Sequence, residues 1–159
     1  MIKIKSSEDI KLMMIAGRVT AEVLDIMREV VKPGISTGEL DRIAEEHIRK
    51  NNGTPAFKNY RPMLSMTPFP GTICASVNDE IIHGIPDFNR ILEEGDIISV
   101  DVGACVNGWF GDAACTYPVG SISDERKKLL EVTEDSLNKA IASALKGDRK
   151  STRLNSSHG

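Results

Sequence analysis

Two carboxylates stand out in the stretch from Asp96 to Tyr117, DIISVDVGACVNGWFGDAACTY. Asp101 and Asp112 lie eleven positions apart in an apolar setting, and carboxylate oxygens are preferred ligands of hard divalent cations. The residues between them give that spacing its meaning. Ile97, Ile98, Val100, Val102, Ala104 and Val106 read as one strand and Asn107-Gly108 as a type I′ hairpin turn. Trp109, Phe110, Thr116 and Tyr117 read as the return strand. With Asn107 and Gly108 as the turn, Val106 faces Trp109, Gly103 faces Asp112 and Asp101 faces Ala114. The aspartates are then diagonal neighbours on one face of the ribbon, within reach of one metal ion or a shared pair. Gly103 leaves open space beside Asp112. Two bare carboxylates so placed repel each other and lose hydration, and a cation offsets both costs. A ribbon face turned to solvent satisfies the same spacing without a metal, and a bulge would change the register.

The other candidates are single residues. His83 closes an apolar run, IIHGIP, directly ahead of glycine and proline, which holds its side chain at the mouth of a core rather than inside it. On position alone, a structural role is the favoured reading. His47 falls on the apolar side of a helical pattern with no second ligand at useful spacing, and reads as structural. His158 sits in a terminal segment without periodicity and is no candidate ligand. Cys74, Cys105 and Cys115 are an odd number with no CxxC pair, which argues against a zinc knuckle or disulfide scaffold and fits a reducing compartment.

Helices and short strands must position these groups. After a short strand at residues 2–4, Ser6 caps a helix with Asp9 in the reciprocal position. Ile10, Met13, Met14, Gly17, Ala21, Leu24 and Arg28 recur at helical spacing to about Val30, a stripe that assigns the methionine pair to the core. Lys32-Pro33-Gly34 stops it. Ser36 or Thr37 starts a second helix, with Glu39 completing a capping box and Leu40, Ile43, Ala44, His47 and Ile48 as its buried stripe. Asn51-Asn52-Gly53 ends that helix. Residues 54–70, with prolines at 55, 62, 68 and 70, read as an irregular loop that either walls a pocket or is a surface excursion. A strand at 72–77, a turn at 78–80 and the turn Glu93-Glu94-Gly95-Asp96 lead into the hairpin. Ser123 caps a third helix with the stripe Leu129, Leu130, Leu137, Ala140, Ile141, Ala144 and Leu145, ended by Lys146-Gly147. One folded unit over residues 1–146 is expected, followed by a tail, 147–159, that buries nothing.

Composition excludes several classes. The 159 residues suffice for one domain with a core. A net charge of -3 without a basic face argues against specific nucleic-acid binding, and 4% aromatics leave no stacking surface for single strands. No apolar run reaches membrane-spanning length, and the N-terminus lacks a signal-type segment, which favours the cytoplasm.

Four segments carry a resemblance: KPGISTGELD, CASVNDEIIHGIPD, LEEGDIISVDVG and GWFGDAACTYPVG. Together they resemble the N-terminal half of the type I methionine aminopeptidases, over about Lys3 to Leu145. The resemblance implies an α+β fold, the incomplete half of a "pita-bread" arrangement of two related halves around a curved antiparallel sheet. It implies that Asp101 and Asp112 bind a dinuclear centre of two divalent ions, with cobalt, manganese, iron and zinc all admissible. His83 would sit beside the substrate and stabilise the reacting amide, while Cys74 and Phe69 would line the pocket for the methionine side chain. The implied activity is removal of the initiator methionine from nascent proteins. Such a protein would act in the cytoplasm at the ribosome, without membrane or specific nucleic-acid partners, and as a monomer at full length.

Two features depart from the family pattern. A compact aromatic loop usually precedes the cysteine, whereas this chain keeps Phe69-Pro70 behind a longer FKNYRPMLSMTP, with Met66 near the expected tyrosine. The family's second half, with a histidine and two glutamates for the metals and a further histidine for the substrate, has no counterpart after Lys146. Little or no peptidase activity is therefore expected of the 159-residue chain itself. The alternatives are a proline or Xaa-Pro peptidase on the same scaffold and a non-catalytic binding module.

Overall fold

A computed structural model describes residues 4–61 and 67–144. The elements run α1 (Ser7–Val30), α2 (Thr37–Lys50), β1 (Gly53–Pro55), β2 (Ile73–Val77), β3 (Ile97–Val106), β4 (Trp109–Pro118) and α3 (Asp124–Ser143). Most of the expected 2–4 strand, Pro62, Met66, Leu145, the Lys146-Gly147 helix end and the 147–159 tail with His158 lie outside the described residues. Ile4 belongs to no element.

β3 is the centre of an antiparallel sheet. β4 pairs along its whole length on one edge, and β2 and β1 share the other, β2 against residues 98–102 and β1 against residues 104–106. Alternation along β3 separates the two faces. Ile98, Val100, Val102, Ala104 and Val106 are buried, and they share one core with Ala16, Val19, Val23 and Met27 of α1 and Leu40, Ala44 and Ile48 of α2. Ser99, Asp101 and Cys105 point to the opposite face and are only half-buried. Both helices cover one face, and the carboxylates belong to the other.

Both helix starts follow from their caps. Ser6 and Asp9 form the expected reciprocal capping box on α1. Ser36 caps α2 through the Glu39 N–H, but the Glu39 carboxylate turns outward to Arg42, so that box is not reciprocal. His47 is structural as expected, its Nε2 lying 2.9 Å from a Glu22 carboxylate oxygen and tying α2 to α1.

Three further expectations need correction. The buried face of α1 is Ala16, Val19, Thr20, Val23 and Met27, about 100° around the helix from the expected stripe, and Met13, Met14 and Ile10 are exposed. α1 is apolar on more than one side, and close approach decides which side is buried: a Cβ on Gly111 of β4 would lie 2.6 Å from the Ala16 carbonyl. Small residues, not long ones, select the contact. Residues 53–55, expected to be irregular beyond Gly53, pair with β3 as β1. The stripe on α3 is not buried either: capped by Ser123 as expected, α3 buries none of its residues, and Leu129, Leu137 and Ile141 are all more than half exposed.

The chain divides into two units, Met1–Ser121 and Ile122–Gly159. The first contains the sheet, α1, α2 and every candidate site residue.

Candidate metal and substrate site

The hairpin forms in the register that its turn dictates. Asn107 and Gly108 both take positive φ, 52° and 80°, as a type I′ turn requires. Val106 then pairs with Trp109, Gly103 with Asp112 and Asp101 with Ala114. Asp101 and Asp112 therefore share the face away from the helices.

β2 adds the next member. Cys74 pairs directly with Asp101 across the β2–β3 ladder, which places its side chain on the same face. The thiol is buried and pushed up to about 11 by burial and then by the charges of Asp101 and Asp112. It stays neutral and packs as a small hydrophobe.

His83 arrives from the segment after β2. Ile82 and His83 both adopt left-handed backbone, φ 44° and 59°, which costs a β-branched residue in particular. Gly84 permits the corner, because a Cβ there would lie 2.3 Å from the Ala75 carbonyl oxygen. The Ala75 N–H donates to the Gly84 carbonyl at 2.8 Å and the Gly84 N–H donates to Ser76 Oγ at 3.1 Å. The imidazole is exposed.

Electrostatics single out Asp101. Its carboxyl is held above the usual carboxylate range, first by burial, then by the charge of Asp112 and a hydrogen bond between the two carboxyls, with His83 acting in the opposite direction. That is the donor chemistry a divalent cation relieves, so the pair fits a metal. It does not complete a coordination sphere: among the described residues, no group of three or more histidine, cysteine, aspartate and glutamate side chains could hold a metal ion.

A cavity of about 530 Å³ opens beside Asp112, lined by Ala56, Phe57, Tyr60, Gly103, Phe110 and Gly111. The space expected beside Gly103 is taken up by a ring, since a Cβ there would lie 2.7 Å from Phe57 Cε1. Phe69 is half-buried and does not line this cavity, yet its N–H donates to the Tyr60 carbonyl at 2.9 Å and its carbonyl accepts from Asn59 N–H at 2.8 Å. It closes the loop that carries Phe57 and Tyr60. The structure thus brings Asp101, Asp112, Cys74 and His83 together and leaves Phe69 out of the cavity lining. Phe110 was missed, although strand alternation places it on the face of Asp112.

A family model, that of metallopeptidase family M24, matches residues 11–155. The chain belongs to metallopeptidase family M24. Among M24 relatives, methionine aminopeptidase 1 of Bacillus subtilis is 50% identical over 151 residues, 95% of this chain and 58% of its own length. The crystal structure of methionine aminopeptidase from Thermotoga maritima superposes with a TM-score of 0.84 at 39% identity, over 91% of this chain and 55% of that one. An Xaa-Pro dipeptidase from Bacillus anthracis matches at TM-score 0.71 and 22% identity, over 86% of this chain and 35% of its own, a likeness of fold alone. The M24 fold of this chain is α+β, and the chain spans just over half the length of the methionine aminopeptidases it matches. Among the described residues, no helix is long and apolar enough to cross a membrane.

Proposed function

We propose that this chain is the aspartate-bearing part of a methionine aminopeptidase, which removes the initiator methionine from nascent polypeptides. The observation that carries the reading is a carboxylate pair on one open sheet face beside an aromatic-walled cavity of about 530 Å³, within the usual range for a small-ligand site. Identity of 50% to a protein named methionine aminopeptidase supports it.

Asp101 and Asp112 would hold two divalent ions, with cobalt, manganese, iron or zinc all compatible with oxygen donors. Such ions supply the Lewis acidity that makes water nucleophilic at neutral pH and polarises an amide carbonyl. The chain's own residues bind and orient. Phe57, Tyr60 and Phe110 surround an unbranched thioether side chain, and Phe69 fixes the loop bearing two of them. Cys74, neutral and buried, offers that side chain an apolar sulfur contact. His83, held by the left-handed corner, donates a hydrogen bond to the reacting amide.

Substrates on this reading are the N-terminal peptides of nascent proteins, met at the ribosome in the cytoplasm, and the protein at its relatives' full length is a monomer. Two carboxylates leave most of a cation's coordination to other donors. The 159-residue chain alone is therefore expected to release no methionine at a stoichiometric metal load. Detectable release would contradict the proposal.

The test uses a form with the relatives' full length, loaded with manganese and offered Met-Gly-x and x-Pro peptides. Release of methionine from the first and no cleavage of the second is expected, and x-Pro cleavage would overturn the assignment in favour of a proline peptidase. Calorimetry on the 159-residue chain separates the binding-module alternative. Weak manganese binding that Asp112→Asn abolishes is expected, and binding indifferent to that substitution would remove the metal reading.

A further inference from the structure

α2 grips the two sides of the candidate site through carboxylates one turn apart. Asp41 accepts the backbone N–H groups of Thr72 and Ile73 through one oxygen, at 2.6 and 2.9 Å, which anchors the start of β2 and so the strand bearing Cys74. Glu45, four residues later on the same helix face, accepts from Thr72 Oγ1 at 3.5 Å and reaches on to the loop after β1. Its Oε2 accepts from Lys58 Nζ at 2.6 Å, while its Oε1 accepts from Arg49 Nε at 2.8 Å. Glu45 and Lys58 are both largely covered, with side chains 20% and 33% exposed. Burial of that degree keeps an ion pair from being screened away as a surface pair would be.

Lys58 is the neighbour of Phe57, whose ring rests on Gly103 and forms one wall of the cavity beside Asp112. The loop carrying it is otherwise tied by backbone bonds: the Ala56 N–H donates to the Gly103 carbonyl at 2.9 Å, the Tyr60 N–H to the Phe57 carbonyl at 2.9 Å, and Phe69 bonds to Asn59 and Tyr60. Backbone bonds fix the start of the loop, but no other described ion pair reaches it from α2.

We propose that Glu45 is a positioning residue for the substrate pocket: through Lys58 it holds the Phe57 ring against Gly103 and thereby sets the space available beside Asp112. Glu45 touches no substrate and does no chemistry. It fixes where an aromatic wall stands, and its effect must appear in ring geometry before it appears in stability. This inference rests on the aminopeptidase reading only for what the pocket accepts, because the position of the ring is a property of the chain alone.

The experiment is nuclear magnetic resonance on the 159-residue chain, following the α-protons of Gly103. The ring current of Phe57 displaces them from their unfolded-chain positions. Glu45→Gln and Lys58→Met should each lose most of that displacement, and the double variant should lose no more than either single one, as expected for two residues acting through one contact. Arg49→Met removes the other partner of Glu45 and should leave Gly103 unmoved. Gly103 shifts unchanged in Glu45→Gln and in Lys58→Met would overturn the proposal, even if either variant melts earlier. Equal movement in Arg49→Met would also overturn it, since the effect would then come from α2 as a whole. Titration with methionine amide reads the pocket itself. Wild-type binding weakened about tenfold in Lys58→Met is expected. No wild-type binding, with Gly103 still responding to Glu45→Gln, would leave the positioning intact and remove the methionine pocket.

Discussion

Asp41 shows how one side chain is asked to do two opposed things. Asp41 is partly buried, which pushes its carboxyl above the usual range, and the N–H groups of Ile73 and Thr72 pull it back. A folded value above the unfolded one means that its contribution to stability is present below the ordinary aspartate range and is lost as pH rises through the raised value. Asp41→Asn keeps an oxygen for both donors and removes that titration, so its unfolding free energy should vary less between about pH 3 and pH 6 than that of the wild type. Asp41→Ala strands two donors at the buried start of β2 and should cost about 2–3 kcal/mol. Urea unfolding across a pH series distinguishes these outcomes. Asp101 obeys the same sign, raised by burial and by Asp112. Asp101→Asn should therefore be more stable than the wild type at neutral pH in chelator, while its manganese affinity should fall at least about tenfold. A substitution that raises stability and removes binding marks a residue retained for function.

Between elements, the contact of α1 with β4 turns on glycine. Gly111→Ala drives a methyl group into the Ala16 backbone, which cannot move aside as a side chain can, and should cost about 3 kcal/mol. Gly17→Ala, one residue along the same helix, meets nothing within 4 Å and should stabilise by about 0.5–1 kcal/mol by restricting the unfolded chain. The contrast in urea midpoints between these two substitutions checks the packing of α1 directly. Tyr117 fastens the same pair of elements, its hydroxyl donating to the Leu24 carbonyl at 2.6 Å, and burial holds that hydroxyl protonated. Tyr117→Phe should cost about 1 kcal/mol.

Across the whole molecule, burial is lopsided. One face of the sheet is covered by α1 and α2, while Phe110 on the other face and Ile81, Ile82, Ile85 and Phe88 in the segment after β2 are all more than half exposed. A chain that buries its apolar residues on one side only is prone to associate, and dye binding or sedimentation should show this at micromolar concentration. α3 buries none of its residues, so little apolar packing supports its helical hydrogen bonds. Its amides should exchange with solvent fastest of the three helices, well ahead of those of α1. Protection of α3 equal to that of α1 would contradict this.

Local chemistry determined a good deal from the sequence alone. Ser6 with Asp9, Ser36, Ser123 and Asn107-Gly108 are caps and a turn whose backbone requirements lie within a few residues of each other, and all formed where they were read. The hairpin register followed from its turn, and with it the pairing of Asp101 and Asp112 on one face. The motifs around Cys74, His83, Asp101 and Asp112 pointed to the family before any fold was known. Tertiary structure alone decided the rest. Which side of α1 is buried depended on Gly111 in a strand more than ninety residues away, and α1 offered more than one apolar side to choose from. The short β1 needed β3 as a template, because three residues with one proline carry no strand signal of their own. Phe57 stands in the space that Gly103 leaves open, and Glu45 of α2 reaches its neighbour Lys58 in the loop, contacts between residues that no local pattern relates. Local hydrogen bonding and steric preference can be read along a chain, whereas close approach between distant segments exists only once the chain has folded.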